Sequence, residues 1–160
     1  MRMPFAGRQI LFAAILTMLL ISWADGYTLD MTGLQKHVSA YNGNIDKAPG
    51  LLKSVLGSER VNLVITRYNG SIFRAGMNMQ SGRIVHVISG GYNNSTIVVT
   101  TNQSSIDEVV NARDRITAFT NSTAQGKIDI QTNSWTSDIK IKSLLSSGSV
   151  LQFGFNLFFS

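Results

Sequence analysis

The chain has 160 residues, 44% hydrophobic and 14% charged, and no cysteine. That balance fits one ordered domain with a real core and excludes a disordered chain; the missing cysteines exclude disulfides and thiolate metal sites. The formal charge of +5 comes from scattered basic residues with no Lys/Arg run, which excludes a nucleic-acid footprint and leaves at most a weak attraction to anionic membrane surfaces.

Arg2 and Arg8 precede the apolar run "ILFAAILTMLLISWA", Ile10 to Ala24, which is 15 residues long. A membrane-spanning helix needs about 20. Ser22 and Ala24 stand in a small-x-small pattern before Asp25, so residues 1–24 read as a secretory signal peptide cut after Ala24. The other reading is a retained N-terminal anchor. Either one places residues 25–160 outside the cytoplasm. Cleavage would leave 12 basic residues against 9 acidic, a net +3.

Leu29, Leu34, Val38 and Tyr41 lie at helical spacing, and Asn42, Gly43 and Asn44 are expected to break that helix. Asp46 can cap a second helix, with Pro49 in its first turn and Leu51, Leu52, Val55 and Leu56 as its apolar stripe, stopped by Gly57. From Val61 the period becomes two. Val61, Leu63 and Ile65 form one face of a strand, "YNGS" (68–71) turns, and Phe73, Ala75, Met77 and Met79 line a second strand. "QSGR" (80–83) turns into "IVHVIS" (84–89), and "GGYNN" (90–94) into "STIVVTT" (95–101). This spacing predicts a four-stranded antiparallel meander.

Ser105 and Glu108 form an S-x-x-E capping box, and Ile106, Val109, Val110, Ile116 and Phe119 follow at helical spacing, predicting one helix. "TNSTAQG" (120–126) ends it. Ile128 and Ile130 alternate with Lys127, Asp129 and Gln131 in a fifth strand, and Ser134 can cap a last helix with Trp135, Ile139 and Leu144 or Leu145. No repeat or linker divides residues 25–160, which read as a single domain. Its tail, 149–160, holds four phenylalanines in the last eight residues. Each gains roughly 1.5–3 kcal/mol on burial, so the tail is expected to dock in the domain, on a partner or at a membrane.

The order is α, α, four strands, α, β, α. On the residues "STIVVTT", "SSIDEVVNARDRITAF", "TNSTAQ" and "GKIDIQTNSWTSDIKIKSLL", residues 61 to about 145 resemble the sterol carrier protein domain family. The family's Gly-Asp step after the fifth strand is replaced here by Thr132-Asn133-Ser134. The resemblance implies an α+β fold: a five-stranded, mainly antiparallel sheet covered on one face by helices. It also implies an apolar tunnel between the layers for lipids such as sterols or acyl chains. No cofactor is expected.

His37 and His86 are far apart and match no metal-ligand spacing, so the chain is expected to hold no metal. A nucleophile elbow and a phosphate loop are both missing, and Asp107 and Glu108 suit a helix N-terminus better than acid–base work. No catalytic residue is assigned. The expected function is lipid or apolar-ligand binding or transfer, with a lining of Phe73, Met77, Met79, Val85, Val87, Ile116, Phe119, Phe153 and Phe155. The competing reading is a cell-surface structural or protein-interaction module with a filled core that binds through the aromatic tail. Asn69, Asn93, Asn94, Asn102 and Asn121 carry N-x-Ser/Thr triplets; they read either as glycosylation acceptors or as ordinary turn residues.

Overall fold

A computed structural model describes residues 29–47, 50, 58–133 and 139. Residues 1–24, the stripe Leu51–Leu56, the last helix apart from Ile139, and the tail with Phe153 and Phe155 lie outside the described residues.

Helix α1 (Met31–Asn44) begins where the Asp30 carboxylate accepts the Gly33 amide at 2.8 Å, satisfying one of the orphan donors of a helix start. It runs through Asn42-Gly43-Asn44, expected to break it, into a 3-10 turn at Ile45–Lys47. The Asn42 side chain does not compete for its own backbone, because it is engaged elsewhere. Its Nδ2 donates to the Ile84 carbonyl at 2.8 Å, and its Oδ1 accepts the Ile84 amide at 2.9 Å.

The strands are β1 (Arg60–Thr66), β2 (Ile72–Gln80), β3 (Arg83–Ser89), β4 (Ile97–Asn102) and β5 (Asp129–Thr132), in the spatial order β3-β2-β1-β4-β5. The expected α+β class and mainly antiparallel five-stranded sheet are present. The expected meander is corrected: β4 pairs with β1, in parallel, and not with β3. Ser89 and Val99 sit on one row of the sheet, through Ala75 and Leu63. Residues 90–96 therefore travel mostly sideways across β2 and β1. They do so on the outer face, over the register partners Gly76 and Asn62. Asn62 exchanges two hydrogen bonds with the Tyr92 backbone, both 2.8 Å. A Cβ on Gly76 would meet Cδ2 of Tyr92 at 2.6 Å, so only glycine leaves room for this crossing. The "QSGR" turn is as expected, with Ser81 at φ 50° and Gly82 at φ 79°, the pair of positive angles that a tight hairpin needs.

The helix expected over 105–119 is two helices, α2 (Gln103–Asn111) and α3 (Arg115–Ala124). Asp114 makes the break. Its carboxylate accepts the Thr117 amide at 3.0 Å and hydroxyl at 2.8 Å, offering the backbone an alternative to helix continuation. Those bonds, the amide's first, hold the Asp114 carboxyl below its ordinary value. Arg115 Nε closes the joint on the Val110 carbonyl at 2.9 Å. The expected capping box is corrected too. The cap is Asn102, accepting the Ser105 amide at 2.8 Å, and Glu108 pairs with Lys127 at 2.9 Å.

Leu34, Val38 and Tyr41 of α1, Ile106, Val109 and Val110 of α2 and Phe119 of α3 join the inward residues of the sheet in one apolar cluster. The helices thus cover one face; the crossing segment lies on the other, where Asn62, Asn78 and Thr100 are interspersed with the half-buried Val64, Ile88 and Val98.

Candidate functional site

The inner face is set by strand alternation. Val61, Leu63 and Ile65 on β1 stand opposite Met77, Ala75 and Phe73 on β2, and all six are buried. Met77 continues to Val87 on β3, and Met79 to Ile84. Phe119 reaches this layer from α3 and is fully buried. The pair of unbranched thioethers, Met77 and Met79, makes the part of this wall next to β3 its most adaptable.

Four of the nine expected lining residues, Phe73, Met77, Met79 and Phe119, lie in the core cluster, and Val87 and Ile116 are partly buried against it. Phe153 and Phe155 lie outside the described residues. Val85 is corrected: it is 49% exposed. The register shifts between Asn78 and Met79, so that Asn78 pairs with His86 and Met79 with Ile84. Val85 is the extra residue of this bulge, and the bulge resets the alternation. Ile84, 4% exposed, takes the inward place assigned to Val85. Counting by twos from Val87 misses a bulge; no composition signal marks it.

Polar groups meet the apolar layer at defined points. The Tyr41 hydroxyl donates to the Gly82 carbonyl at 2.7 Å, pinning α1 to the β2–β3 turn. Burial raises that hydroxyl's pKa. His37 is buried on the same helix face, and burial, aided by the Lys36 charge, lowers its pKa, so the ring is neutral at pH 7. Thr101 is buried on β4 and donates to the Lys127 carbonyl at 3.0 Å.

The outer face is different in kind. The Tyr92 hydroxyl lies 3.2 Å from His86 Nδ1, and the Arg60 guanidinium lies 5.9 Å from the Tyr92 ring centroid, within cation–π range. Beside them is a cleft of about 350 Å³ lined by Ser58, Arg60, Asn78, Met79, Gln80 and Thr96. Asn62 and Tyr92, which organise this face, were not singled out from the sequence, since neither belongs to a motif. Among the described residues no cluster of His, Asp or Glu could hold a metal ion, and no helix among them is long and apolar enough to cross a membrane.

No protein-family model and no curated protein matches the chain. Solved structures similar to it include sterol carrier protein domains, all at low identity. The sterol carrier protein domain 2 of Helicoverpa armigera is 16% identical, with a TM-score of 0.46, over 69% of this chain and 83% of that one. A structure described as "UbiJ-SCP2 Ubiquinone synthesis protein" is 16% identical, with a TM-score of 0.48, over 79% and 97%. A conserved hypothetical protein from Thermus thermophilus, described as possibly a sterol carrier protein, is 8% identical, with a TM-score of 0.47, over 75% and 85%.

Proposed function

We propose that the chain is a non-catalytic domain that binds or transfers a lipid or other apolar ligand outside the cytoplasm. The observation that carries this reading is the inner face of β2. Phe73, Met77 and Met79 form an unbroken apolar strip, continued by Val87 on β3 and joined in the same apolar cluster by Phe119 of α3, with Ile116 packed against that cluster. Such a surface holds a guest by replacing the water around its chain, with no covalent step. The sequence resemblance to sterol carrier domains points the same way, and the basic-then-apolar N-terminus supports export.

Extraction of the purified full chain with organic solvent, followed by mass spectrometry, tests the reading. Stoichiometric recovery of an apolar molecule is expected, with displacement of a fluorescent fatty-acid analogue by that molecule. No recovered lipid and no uptake of the analogue would overturn it.

One observation favours a second reading, an interaction module with a filled core. Leu63, Ile65, Ala75, Ile97 and Ile106 are at most 1% exposed, and so are Met77, Met79 and Phe119 of the strip itself, so the layer as it stands is filled and a guest would have to displace side chains. Deleting residues 150–160 separates the two: loss of a protein partner with analogue uptake unchanged selects the module.

A further inference from the structure

The fold sorts the arginines of the described residues by what their guanidinium groups hold. Arg67 donates to the Leu29 carbonyl, Arg83 to Asp46 at 2.7 Å, and Arg115 to the Val110 carbonyl at 2.9 Å. Arg74 and Arg113 are exposed, where water serves them. Arg60 alone is half-buried with a guanidinium that makes no hydrogen bond or ion pair to the described residues. Its five N–H donors form a planar fork matched to the oxygens of an anion.

That fork is held in place without using its donors. The Arg60 amide donates to the Thr96 hydroxyl at 3.0 Å, and the Arg60 carbonyl accepts the Thr96 amide at 2.9 Å. The guanidinium lies 5.9 Å from the Tyr92 ring centroid, a contact that engages its face and leaves its edge free. The ring is fixed in turn by the Asn62 bonds to the Tyr92 backbone, by its close seat on Gly76 and by His86 at its hydroxyl. A second observation is independent of Arg60. Asn78, its register partner on β2, is also half-buried, and its carboxamide makes no hydrogen bond to the described residues. Both residues line the cleft of about 350 Å³, with Ser58, Gln80 and Thr96 as further polar members and Met79 as the apolar one. Among the described residues no acidic side chain lines it. The neighbouring Glu59 carboxylate is buried, at 4% exposure, and accepts the Thr96 hydroxyl at 2.5 Å.

We propose that this cleft binds a phosphate group, carried by a small phosphorylated molecule or by a lipid headgroup, with Arg60 as the bidentate anchor and Asn78 as a second donor beside it. Unpartnered, half-buried donors gain most from a charged acceptor, because the bond replaces an unmet one. Arg60, Asn78, Gln80 and Ser58 bring donors from four side chains, which suits the three oxygens of a phosphate monoester better than the two of a carboxylate. The cleft is of small-molecule size, so it also has room for the group that the phosphate is attached to. It lies on the outer sheet face, away from the Phe73–Met77 strip, and its occupancy does not depend on an apolar guest.

Titration of the isotope-labelled full chain with inorganic phosphate and with glycerol phosphate, followed by NMR at constant ionic strength, tests it. Saturable shifts of the Arg60 Nε–H and Asn78 carboxamide signals are expected. Arg60→Lys should weaken binding by about tenfold, for one charge-assisted bond of the fork lost. Arg74→Gln, on β2 but outside the cleft, should leave it unchanged. Shifts that never saturate, or that sodium acetate matches, overturn the phosphate site, as does an equal weakening by Arg74→Gln, which would reduce the effect to overall charge. The wild-type titration decides by itself, so a variant that fails to fold leaves nothing open. Phosphatidylcholine vesicles containing phosphatidic acid distinguish the sources: displacement of glycerol phosphate assigns the site to a lipid headgroup, and no displacement assigns it to a soluble phosphate.

Discussion

The ring of Tyr92 lies on Gly76: a Cβ at position 76 would stand 2.6 Å from Tyr92 Cδ2 and 3.0 Å from the Gly91 Cα. This contact marks where the segment between β3 and β4 crosses β2, and so where the chain turns from a meander to a parallel pairing. Gly76→Ala is expected to destabilise the domain by about 1–3 kcal/mol, the usual range for overpacking, read by urea denaturation. In a Tyr92→Ala background the same substitution should be much milder, since the obstructing ring is gone. An equal loss in both backgrounds would place the strain elsewhere.

Asn42 protects an edge. β3 is one of the two edge strands, and the Asn42 carboxamide takes both backbone groups of Ile84, as a neighbouring strand would. Arg83 strengthens the junction through Asp46 at 2.7 Å and the Asn42 carbonyl at 3.0 Å. Asn42→Ala is expected to lower stability by about 1–3 kcal/mol, the penalty for orphaned, partly buried polar groups. It should also accelerate hydrogen exchange at the Ile84 amide and promote self-association through the opened edge. Exchange at Ile84 that matches the wild type would show that the contact does not protect this edge.

The Tyr41 hydroxyl makes stability fall in alkali. Burial raises its pKa above the ordinary value, near 10 in an unfolded chain. Above about pH 10 the unfolded state loses the proton and the folded state keeps it, so the unfolded state is favoured as pH rises. Tyr41→Phe should flatten this alkaline slope. It should also lower stability near pH 7 by about 1–2 kcal/mol for the lost bond to Gly82. Denaturation curves at pH 8 and 11 check both effects.

His37 acts at the acid side. Its folded pKa is lowered, first by burial and then by Lys36. The stability it contributes is present above the unfolded value of about 6.5 and is lost as pH falls below it, because the unfolded state binds the proton first. His37→Leu is expected to reduce the fall in stability between pH 7.5 and 5.5. An unchanged slope would assign the acid sensitivity to the carboxylates.

The cap of α2 separates two readings of the same stretch. Asn102→Ala removes the side chain that accepts the Ser105 amide and should cost about 1 kcal/mol. Glu108→Ala removes only an exposed pair with Lys127, which is worth about 0–1 kcal/mol. A Ser105–Glu108 capping box would reverse the order, making Glu108→Ala the costlier of the two, so thermal denaturation of both variants distinguishes the readings.

Much of the site was legible because it depends on alternation alone. Phe73, Met77 and Met79 point inward whatever strand lies next to β2, since every second side chain shares a face. Val85 was misplaced for the converse reason. Inserting one residue opposite Asn78 and Met79 inverts the alternation, and the bulge is defined only by the partner strand. The joint at Asp114 was hidden likewise, as Asp tolerates a helix surface and a helix cap alike, and only the bonds to Thr117 choose.

By itself the sequence determined the segments, their periods, the glycine-supplied turns and the apolar character of one sheet face. These follow from forces acting within a few residues: rotamer and φ/ψ preferences, and the burial of every second or every third-to-fourth side chain. Tertiary structure alone decided that β4 lies beside β1, that α1 docks on the β3 edge through Asn42, and that residues 90–96 cross over Gly76. Each of those is a contact between residues some 15 to 40 positions apart, and whether such a contact closes depends on the shape of the whole packed chain.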